Sequence, residues 1–310
     1  MRLITNRTKG YLFSLLATIA FANVYIFSKA ALNEVSMPQF WLYWFATALF
    51  FNFIFNWRNG AFKLIRTIEK QDAKRFMFLG ALEIVTSLTF FLSIKMIHDP
   101  AVTSLMGNMF VVFLVVLGVI MLKERFTRME SVGVVITIIG AFGVGYKGGS
   151  TLGDFFVPGT GIVILNTFLA AFTSIIAKKA IHRLSPALVN LNRSFFLFLF
   201  AVIFFLSSGD ALFIPSSALL NILIGAVMGP VTAILSVYYS FKYIEASRSS
   251  VIQGLKGVFV LLGSLLYFGL LPAPVQLAGG IVSIIGVLIM TTAKVKQKGK
   301  KKAGDKAGLL

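Results

Sequence analysis

The 310-residue chain contains no cysteine. It therefore forms no disulfide bond, offers no thiolate to a metal ion and has no cysteine nucleophile. Histidine is almost as scarce, because His98 and His182 are the only two, and both lie at the ends of apolar stretches. From these absences we expect no metal site and no cofactor. Nor does the sequence pair histidine with aspartate in the way that acid–base catalysis needs, so we expect that the protein is not an enzyme.

Charged residues are also few, at 13% of the chain, whereas 57% of residues are hydrophobic and the mean hydropathy is +0.88. The hydrocarbon core of a bilayer is about 30 Å thick, so that a helix of about 20 apolar residues spans it. Apolar stretches of that length fill most of the chain. They predict an all-α polytopic membrane protein with ten transmembrane helices, at residues 10–31, 38–57, 76–97, 101–121, 131–146, 159–177, 186–208, 219–241, 248–270 and 273–291.

The net charge of +18 follows from membrane topology. When the ten predicted spans are threaded through a bilayer, 24 of the 29 Lys and Arg residues fall on one side. Cytoplasmic loops carry such an excess, so both termini are expected in the cytoplasm and the protein in the cell (inner) membrane. No basic soluble domain is left to bind nucleic acid. The polybasic cytoplasmic tail, residues 294–310, is expected to be a solvated topology anchor or to contact anionic lipid headgroups.

The chain resembles itself at a displacement of 146 to 149 residues. The segments Ser28–Ala31 and Ile94–Ile97 recur as Ala177–Ala180 and Phe241–Ile244, and further matches in register are Pro38 with Pro186, Gly133 with Gly279, and Thr137–Gly140 with Ser283–Gly286. Several matches in register indicate duplication. Each half has five spans, an odd number, so the second half must cross the membrane in the opposite sense. The domains are then two inverted five-helix repeats, 1–146 and 159–293, joined by a linker at 147–158.

This organisation resembles the drug/metabolite transporter superfamily, and in particular its EamA-type members. Leu122-Lys123-Glu124 at the end of the fourth span, followed by Gly133 and Ile138-Ile139-Gly140, is similar to a signature of that family, as is Pro186 followed seven residues later by Arg193. The resemblance implies a secondary transporter of small metabolites, for which export is the more usual direction in this family. We expect the protein to act as a monomer or a homodimer. It does not identify the substrate.

Three ionisable residues, Glu83, Arg193 and Lys256, lie inside predicted spans. Burying charge in hydrocarbon costs several kcal/mol, so such residues usually face the interior of a helix bundle. All three lie seven or eight residues from the cytoplasmic ends of their predicted spans, and we expect them to line one cavity that opens to the cytoplasm. Two cations beside one carboxylate favour an anionic or zwitterionic substrate with a carboxylate or phosphate, such as an amino acid, and Glu83 is a candidate for proton coupling. The alternatives are a structural ion pair or side chains that snorkel to the headgroups.

Uncharged polar residues extend this candidate site. Gln253 lies three residues before Lys256 on the same helix face, and Asn108 and Tyr239 are candidate hydrogen-bonding residues for a substrate. The alternative is that such residues only bridge neighbouring helices. Gly229-Pro230 lies near the middle of the eighth span, where the proline removes a backbone donor, so we expect that helix to kink or open.

Two further patterns concern the membrane and packing. The aromatic residues Phe40, Trp41, Tyr43 and Trp44, at one end of the second span, are typical of an interfacial aromatic belt. The glycines of the fifth and tenth spans place small residues on one helix face, which predicts close helix packing.

Three functions compete at this point. The first is a secondary transporter that exposes a central cavity alternately to the two sides of the membrane. The second is a flippase for a lipid or lipid-linked substrate, which would use the same helices. The third is a membrane-embedded enzyme, which the short loops and the scattered Asp99, Asp154 and Asp210 disfavour.

Overall fold

The structure, a computed structural model, describes residues 6–60, 70–122, 128–146, 156–181 and 184–289. The predicted tail and most of the predicted linker lie outside these residues. Within them the fold is helical, and the β structure is limited to an isolated bridge between Tyr146 and Phe156. In chain order the helices are α1 (Asn6–Leu32), α2 (Met37–Arg58), α3 (Lys70–Met96), α4 (Pro100–Met106), α5 (Met109–Leu122), α6 (Arg128–Gly145), α7 (Thr160–Ile181), α8 (Pro186–Ser208), α9 (Ser216–Ala226), α10 (Ile234–Tyr243), α11 (Ala246–Gln253), α12 (Lys256–Phe268) and α13 (Pro274–Ile289).

The outer surface of the bundle is apolar, as expected of an integral membrane protein. Large hydrophobic side chains such as Phe213, Leu266 and Ile120 are exposed on it, and a soluble monomer rarely exposes so much apolar area. By length and composition, six helical segments of the described chain are able to cross a membrane, and three shorter apolar helices accompany them. The count of ten spans stays a prediction.

The fourth and ninth spans are not continuous helices, contrary to the sequence-based expectation. A turn at Gly107–Asn108 separates α4 from α5, and a turn at Gly254–Leu255 separates α11 from α12. The two turns are 147 residues apart, which is the displacement of the repeat. Glycine has the least tendency among these residues to continue a helix, and the surrounding bundle allows the break at both places.

The eighth span opens as predicted at Gly229-Pro230. Residues Val227–Ala233 form a π-helical segment between α9 and α10. Pro230 has no amide hydrogen to donate, and the wider turn accommodates its ring. The Thr232 hydroxyl donates to the Val227 carbonyl at 2.8 Å, which satisfies one backbone acceptor of the widened turn.

One lysine contact occurs in both halves. The Lys29 ammonium on α1 donates to the carbonyls of Ile94 at 3.1 Å and Ile97 at 2.8 Å, at the end of α3. The Lys178 ammonium on α7 donates to the carbonyls of Phe241 at 2.5 Å and Ile244 at 2.6 Å, at the end of α10. A helix leaves its last carbonyls unpaired and carries partial negative charge there, so a cation is stabilising at this end.

The two halves interlock through reciprocal contacts. In each half the first helix packs against the third and fourth spans of the other half: α1 contacts α10 and α12, and α7 contacts α3 and α5. The second helices, α2 and α8, pack against each other. Each half therefore completes the interior of the other, and the cavity described below lies between them.

The fifth helices, α6 and α13, also meet each other, through small residues. An added Cβ on Gly140 would lie 2.6 Å from the Cα of Ser283, and one on Gly286 would lie 2.6 Å from the backbone nitrogen of Thr137. Each glycine therefore lies against the backbone of the opposite helix, as the glycine pattern predicted. The contact is reciprocal, because Thr137 and Ser283 occupy corresponding positions of the two repeats.

The predicted aromatic belt is wrong for three of its four residues. Phe40, Trp41 and Trp44 are fully buried in the protein interior, where their rings pack edge-on against Phe91 at centroid distances between 4.8 and 6.2 Å. Only Tyr43 of the four is partly exposed, and its hydroxyl donates to the Leu212 carbonyl at 2.6 Å. Helices α8 and α9 cover the aromatic face of α2, so these rings pack against protein rather than lipid.

Candidate functional site

A central cavity of about 150 Å³ lies between the two halves. It is lined by α1, α2, α3, α5, α7, α8 and α10, by the π-helical segment, and by the facing ends of α11 and α12. Its apolar wall is mainly aromatic: Phe21, Tyr25, Trp44, Phe90, Phe91 and Phe110. Its ionisable groups include Glu83, Arg193 and Lys256, the three residues that the sequence singled out.

Glu83 and Arg193 form a buried ion pair in the cavity wall. Arg193 Nε donates to Glu83 Oε2 at 2.7 Å, and Arg193 Nη2 donates to the Ser87 hydroxyl at 3.0 Å. The Tyr238 hydroxyl donates to the other carboxylate oxygen, Glu83 Oε1, at 2.9 Å. Arg193 is only 8% exposed, so its side chain does not snorkel to the membrane surface. The charges of the two residues therefore balance each other inside the protein.

Lys256 is placed differently, because its contacts are with aromatic rings. Its ammonium lies 5.9 Å from the ring centroid of Tyr25 and 5.8 Å from that of Phe110. These are cation–π distances. No carboxylate of the described chain forms an ion pair with Lys256. The cavity therefore holds one positive charge that is not balanced by a neighbouring anion.

Gln253 joins the cavity to a chain of buried hydroxyl groups. Its amide nitrogen donates to the Ser249 hydroxyl at 3.1 Å, and that hydroxyl also lies 2.9 Å from Ser240 Oγ and 3.1 Å from Ser14 Oγ. The three serines belong to α11, α10 and α1. Gln253 thus lines the cavity as expected, but it also holds helices together, which was its alternative role.

A polar wall between α3 and α7 was not found by sequence reasoning. The Asn166 side-chain nitrogen donates to the Thr86 carbonyl at 2.8 Å and to the Thr89 hydroxyl at 3.1 Å. The hydroxyls of Thr86 and Thr173 lie 3.0 Å apart. Asn166, Thr86 and Thr173 also line the cavity. The sequence could have indicated this wall, because the polar residues share one face of each helix. That pattern becomes informative only when α3 is known to pack against α7.

The π-helical segment is held by asparagines of α2 and α8. The side-chain nitrogens of Asn190 and Asn52 donate to the Pro230 carbonyl at 2.8 and 3.4 Å, and Asn190 also donates to Asn52 Oδ1 at 2.8 Å. Asn52 further donates to the Ser194 hydroxyl at 2.9 Å. Gly229 and Pro230 themselves line the cavity. The opened turn is therefore part of the cavity wall, and it is fixed in position from behind.

Two predicted site residues lie outside the cavity lining. Tyr239 points away from it and stacks on Phe13 at a centroid distance of 5.3 Å. Its neighbour Tyr238 faces the cavity instead, because adjacent helical residues are rotated by about 100°. Asn108 lies in the turn between α4 and α5, where it is buried, and its side-chain amide has no hydrogen-bond partner among the described residues. The preceding Gly107 is the residue of that turn that lines the cavity.

No group of three or more metal-ligating side chains occurs in the part of the chain that the structure describes. The described side chains that line the cavity are charged, hydrogen-bonding and apolar, many of the last aromatic.

The model of the EamA-like transporter family matches the chain twice, over residues 8–146 and 157–292. The chain belongs to this family. As an EamA-like protein of the drug/metabolite transporter superfamily, it is an integral multi-pass membrane transporter with a small-molecule substrate. The family consists of transporters and not of enzymes.

Comparison with solved structures shows that this EamA-like protein shares its fold with a protein of known structure. One crystal structure, described only as that of a protein, aligns with a TM-score of 0.64 at 15% sequence identity, covering 91% of this chain and 98% of the other. This likeness concerns the fold alone. No curated protein sequence matches the chain.

Proposed function

We propose that the protein is a secondary transporter for a small metabolite that carries a carboxylate or a phosphate. The observation that carries this proposal is the ammonium of Lys256, which lies in the cavity against two aromatic rings and without a carboxylate partner in the described chain. A cation in a low-dielectric site attracts an anion much more strongly than the same cation in water. Arg193 is balanced by Glu83, so Lys256 is the first anchor for substrate charge.

The volume of the cavity narrows the substrate class. At about 150 Å³ it is small beside the pockets of about 300 to 1,000 Å³ that hold drug-sized ligands. This size favours an amino acid or another small organic acid over a nucleotide-linked metabolite. The aromatic wall favours a substrate with an apolar part, and the hydroxyl and amide groups of the α3–α7 wall are available to a zwitterion.

Alternating access is supported by the way the halves interlock. The reciprocal contacts of α1 and α7, and the glycine crossing of α6 with α13, are those of two related units that meet around a central site. In this proposal the units are inverted in the membrane, both termini lie in the cytoplasm, and the substrate is exported across the inner membrane. Reporter fusions at Lys147 and at the C-terminus test the topology, because opposite locations are expected for the two positions.

The alternative functions have less support. Asp99 caps the start of α4 and accepts a hydrogen bond from Ser264 at 2.8 Å, and Asp210 accepts one from Ser36 at 2.5 Å. Neither carboxylate lines the cavity, so Glu83 has no second carboxylate beside it among the described residues there. A lipid flippase would need room for a headgroup with its chains, which is more than the cavity volume offers.

The test measures ligand binding to the purified protein as a shift of its thermal unfolding. The ligands are a panel of small carboxylates, phosphates and amines. We expect stabilisation by acids, and we expect Lys256→Met to weaken their binding by about ten- to a hundredfold, the equivalent of one charged hydrogen bond. Lys242→Met is the matched control, because Lys242 lies on the exposed face of α10. Equal binding of acids by both variants would contradict the anion site, and stabilisation by amines alone would reverse the proposed charge preference.

A further inference from the structure

The described chain has a second cavity, a groove of about 660 Å³ on the outer surface of the bundle. One face of α2 and one face of α8 form its walls, and Phe76 near the start of α3 also lines it. Phe50 of α2 and Phe195 of α8 are exposed along it. Of the described residues that line the groove, only Asn192 is polar, and its side-chain nitrogen donates to the Phe76 carbonyl at 3.1 Å. In an integral membrane protein, an open apolar groove of this kind faces the hydrocarbon of the bilayer.

The groove runs along its two helices for about the depth of one lipid leaflet. It extends over residues 46–53 of α2 and over residues 188–198 of α8. At a rise of 1.5 Å per residue these segments are about 10 and 15 Å long, and half of the hydrocarbon core is about 15 Å thick. Helix α2 ends at Arg58 and α8 begins at Pro186, so both helices place the same end of the groove near the membrane surface. The groove therefore has the length and the position of one acyl chain that enters from this surface.

The membrane surface at this end of the groove carries positive charge. Arg58 is the last residue of α2, and Lys70 and Lys74 lie in the first turns of α3. All three are exposed, and no carboxylate of the described chain forms an ion pair with them. Asp72 does not offset them, because it is buried and pairs with Arg75 at 3.4 Å. Exposed cations at a membrane surface attract anionic lipid headgroups.

We infer that this groove binds one acyl chain of an anionic phospholipid, whose headgroup lies against Arg58 and the start of α3. The groove contacts the chain from two sides, so it offers more dispersion contacts than a flat lipid-facing surface does. A zwitterionic phospholipid would make the same chain contacts but would gain less from the cations. The inference does not depend on the anion site of the proposed function, because no described residue lines both the groove and the central cavity.

The bound lipid supports the wall of the central cavity from outside. Its acyl chain packs against both α2 and α8, the helices that form the groove. The buried faces of the same two helices carry Asn52 and Asn190, which donate to the Pro230 carbonyl in the cavity wall. A ligand that binds only the folded protein also stabilises it by mass action. We therefore expect the anionic lipid to raise the melting temperature of the protein.

The experiment counts the lipids that stay on the purified full chain. The protein in detergent is mixed with equal amounts of phosphatidylglycerol and phosphatidylcholine that have identical chains, and bound lipid is identified by native mass spectrometry. We expect one phosphatidylglycerol per chain, in preference to phosphatidylcholine. Ala46→Phe fills the groove with a ring and should abolish this retention. Ala81→Phe is the matched control and should retain the lipid, because Ala81 is exposed on α3 outside the groove and lies at a similar distance from the basic end of its helix.

Charge variants test the headgroup contact separately. Arg58→Gln and Lys74→Gln each remove one exposed cation at the end of the groove. We expect each to weaken phosphatidylglycerol binding about fivefold, the equivalent of about 1 kcal/mol, and to leave phosphatidylcholine binding unchanged. Lys95→Gln is the control, because Lys95 is exposed at the opposite end of α3. Equal weakening by all three variants would show that the headgroup has no particular place, and would overturn the site.

Other outcomes would also overturn the inference. Equal retention of the two lipids, or equal retention by Ala46→Phe and the wild type, would do so. A dimer that holds no lipid would show that a second copy of the chain fills the groove instead. If Ala46→Phe folds poorly, the wild type decides: phosphatidylglycerol should raise its melting temperature by about 2 to 4 °C more than phosphatidylcholine does. That difference should shrink at about 1 M salt, where exposed charges are screened, and its absence at low salt would contradict the site.

Discussion

The two halves of the chain share their helix contacts but differ in the cavity wall. Lys29 and Lys178 occupy corresponding positions, and each donates to the carbonyls at the end of the third span of its own half. Glu83, by contrast, has no carboxylate counterpart, because the corresponding position of the second half is the π-helical turn at Gly229-Pro230. Lys256 corresponds in the same way to Met109.

The difference separates the parts of the sequence that hold the scaffold from those that act on a ligand. The lysine contacts at helix ends and the α6–α13 crossing recur in both halves and lie away from the cavity lining. The charged residues of the cavity are not repeated: Glu83 occurs only in the first half, and Arg193 and Lys256 occur only in the second. The cavity itself is therefore asymmetric. A duplicated scaffold can therefore bind an asymmetric small molecule without losing the reciprocal packing that joins its halves.

The largest loss of stability is expected when the ion pair between Glu83 and Arg193, which has no counterpart in the repeat, is broken. Arg193→Gln leaves the Glu83 carboxylate buried with one weaker partner, and breaking such a pair destabilises a protein by about 3 to 5 kcal/mol. The double variant with Glu83→Gln should recover much of that loss, because no unpaired charge is left. Thermal unfolding of the single and double variants in detergent measures both effects. Additive losses would show that the two side chains do not depend on each other.

A smaller but symmetric effect is expected at the helix crossing. Gly140→Ala and Gly286→Ala each place a methyl group against the backbone of the opposite helix, and overpacking of this kind costs up to about 3 kcal/mol. The two losses should be similar, because the contacts correspond. Gly161→Ala on α7 is the control, since an added Cβ there meets no atom within 4 Å. Strongly unequal losses would break the correspondence between α6 and α13.

The lysine contacts should give a still smaller pair of effects. Lys29→Met and Lys178→Met each remove a cation from a helix end, which is worth about 1 to 2 kcal/mol in a partly buried setting. Thermal unfolding should show a loss in both variants. We expect the larger loss for Lys29, which is 6% exposed and contacts three carbonyls, those of Ile94, Lys95 and Ile97. An unchanged melting temperature in both variants would mean that water replaces the ammonium at these carbonyls.

Local chemistry explains which of these features the sequence could predict. The opening at Pro230 follows from a missing backbone donor, whatever surrounds it. The meeting of Glu83 with Arg193 follows from the high free energy of isolated charge in a membrane interior. Both arguments need only the residue and its approximate depth.

Features that depend on the neighbouring helix were not predictable in the same way. Two helices break at Gly107 and Gly254. In the sequence these glycines look like others that continue a helix, such as Gly263 within α12. Trp41 and Trp44 resemble interfacial residues until α8 and α9 are known to cover them. Asn166 is one of several polar residues on α7, and its place in the cavity wall depends on the contact of α7 with α3.

The smallest effect concerns two adjacent tyrosines, and it tests which face of α10 belongs to the site. Tyr238→Phe removes the hydrogen bond to Glu83 Oε1 in the cavity wall, so we expect a loss of about 1 kcal/mol of stability and a change in anion affinity. Tyr239→Phe keeps the ring that stacks on Phe13 and should change stability by less than about 0.5 kcal/mol, without a change in anion affinity. The two substitutions delete the same hydroxyl group from neighbouring positions, so each is the control for the other. If Tyr239→Phe altered anion binding while Tyr238→Phe did not, the cavity would have to include the face of α10 that now stacks on α1, and the partnership of Tyr238 with Glu83 would not govern the site.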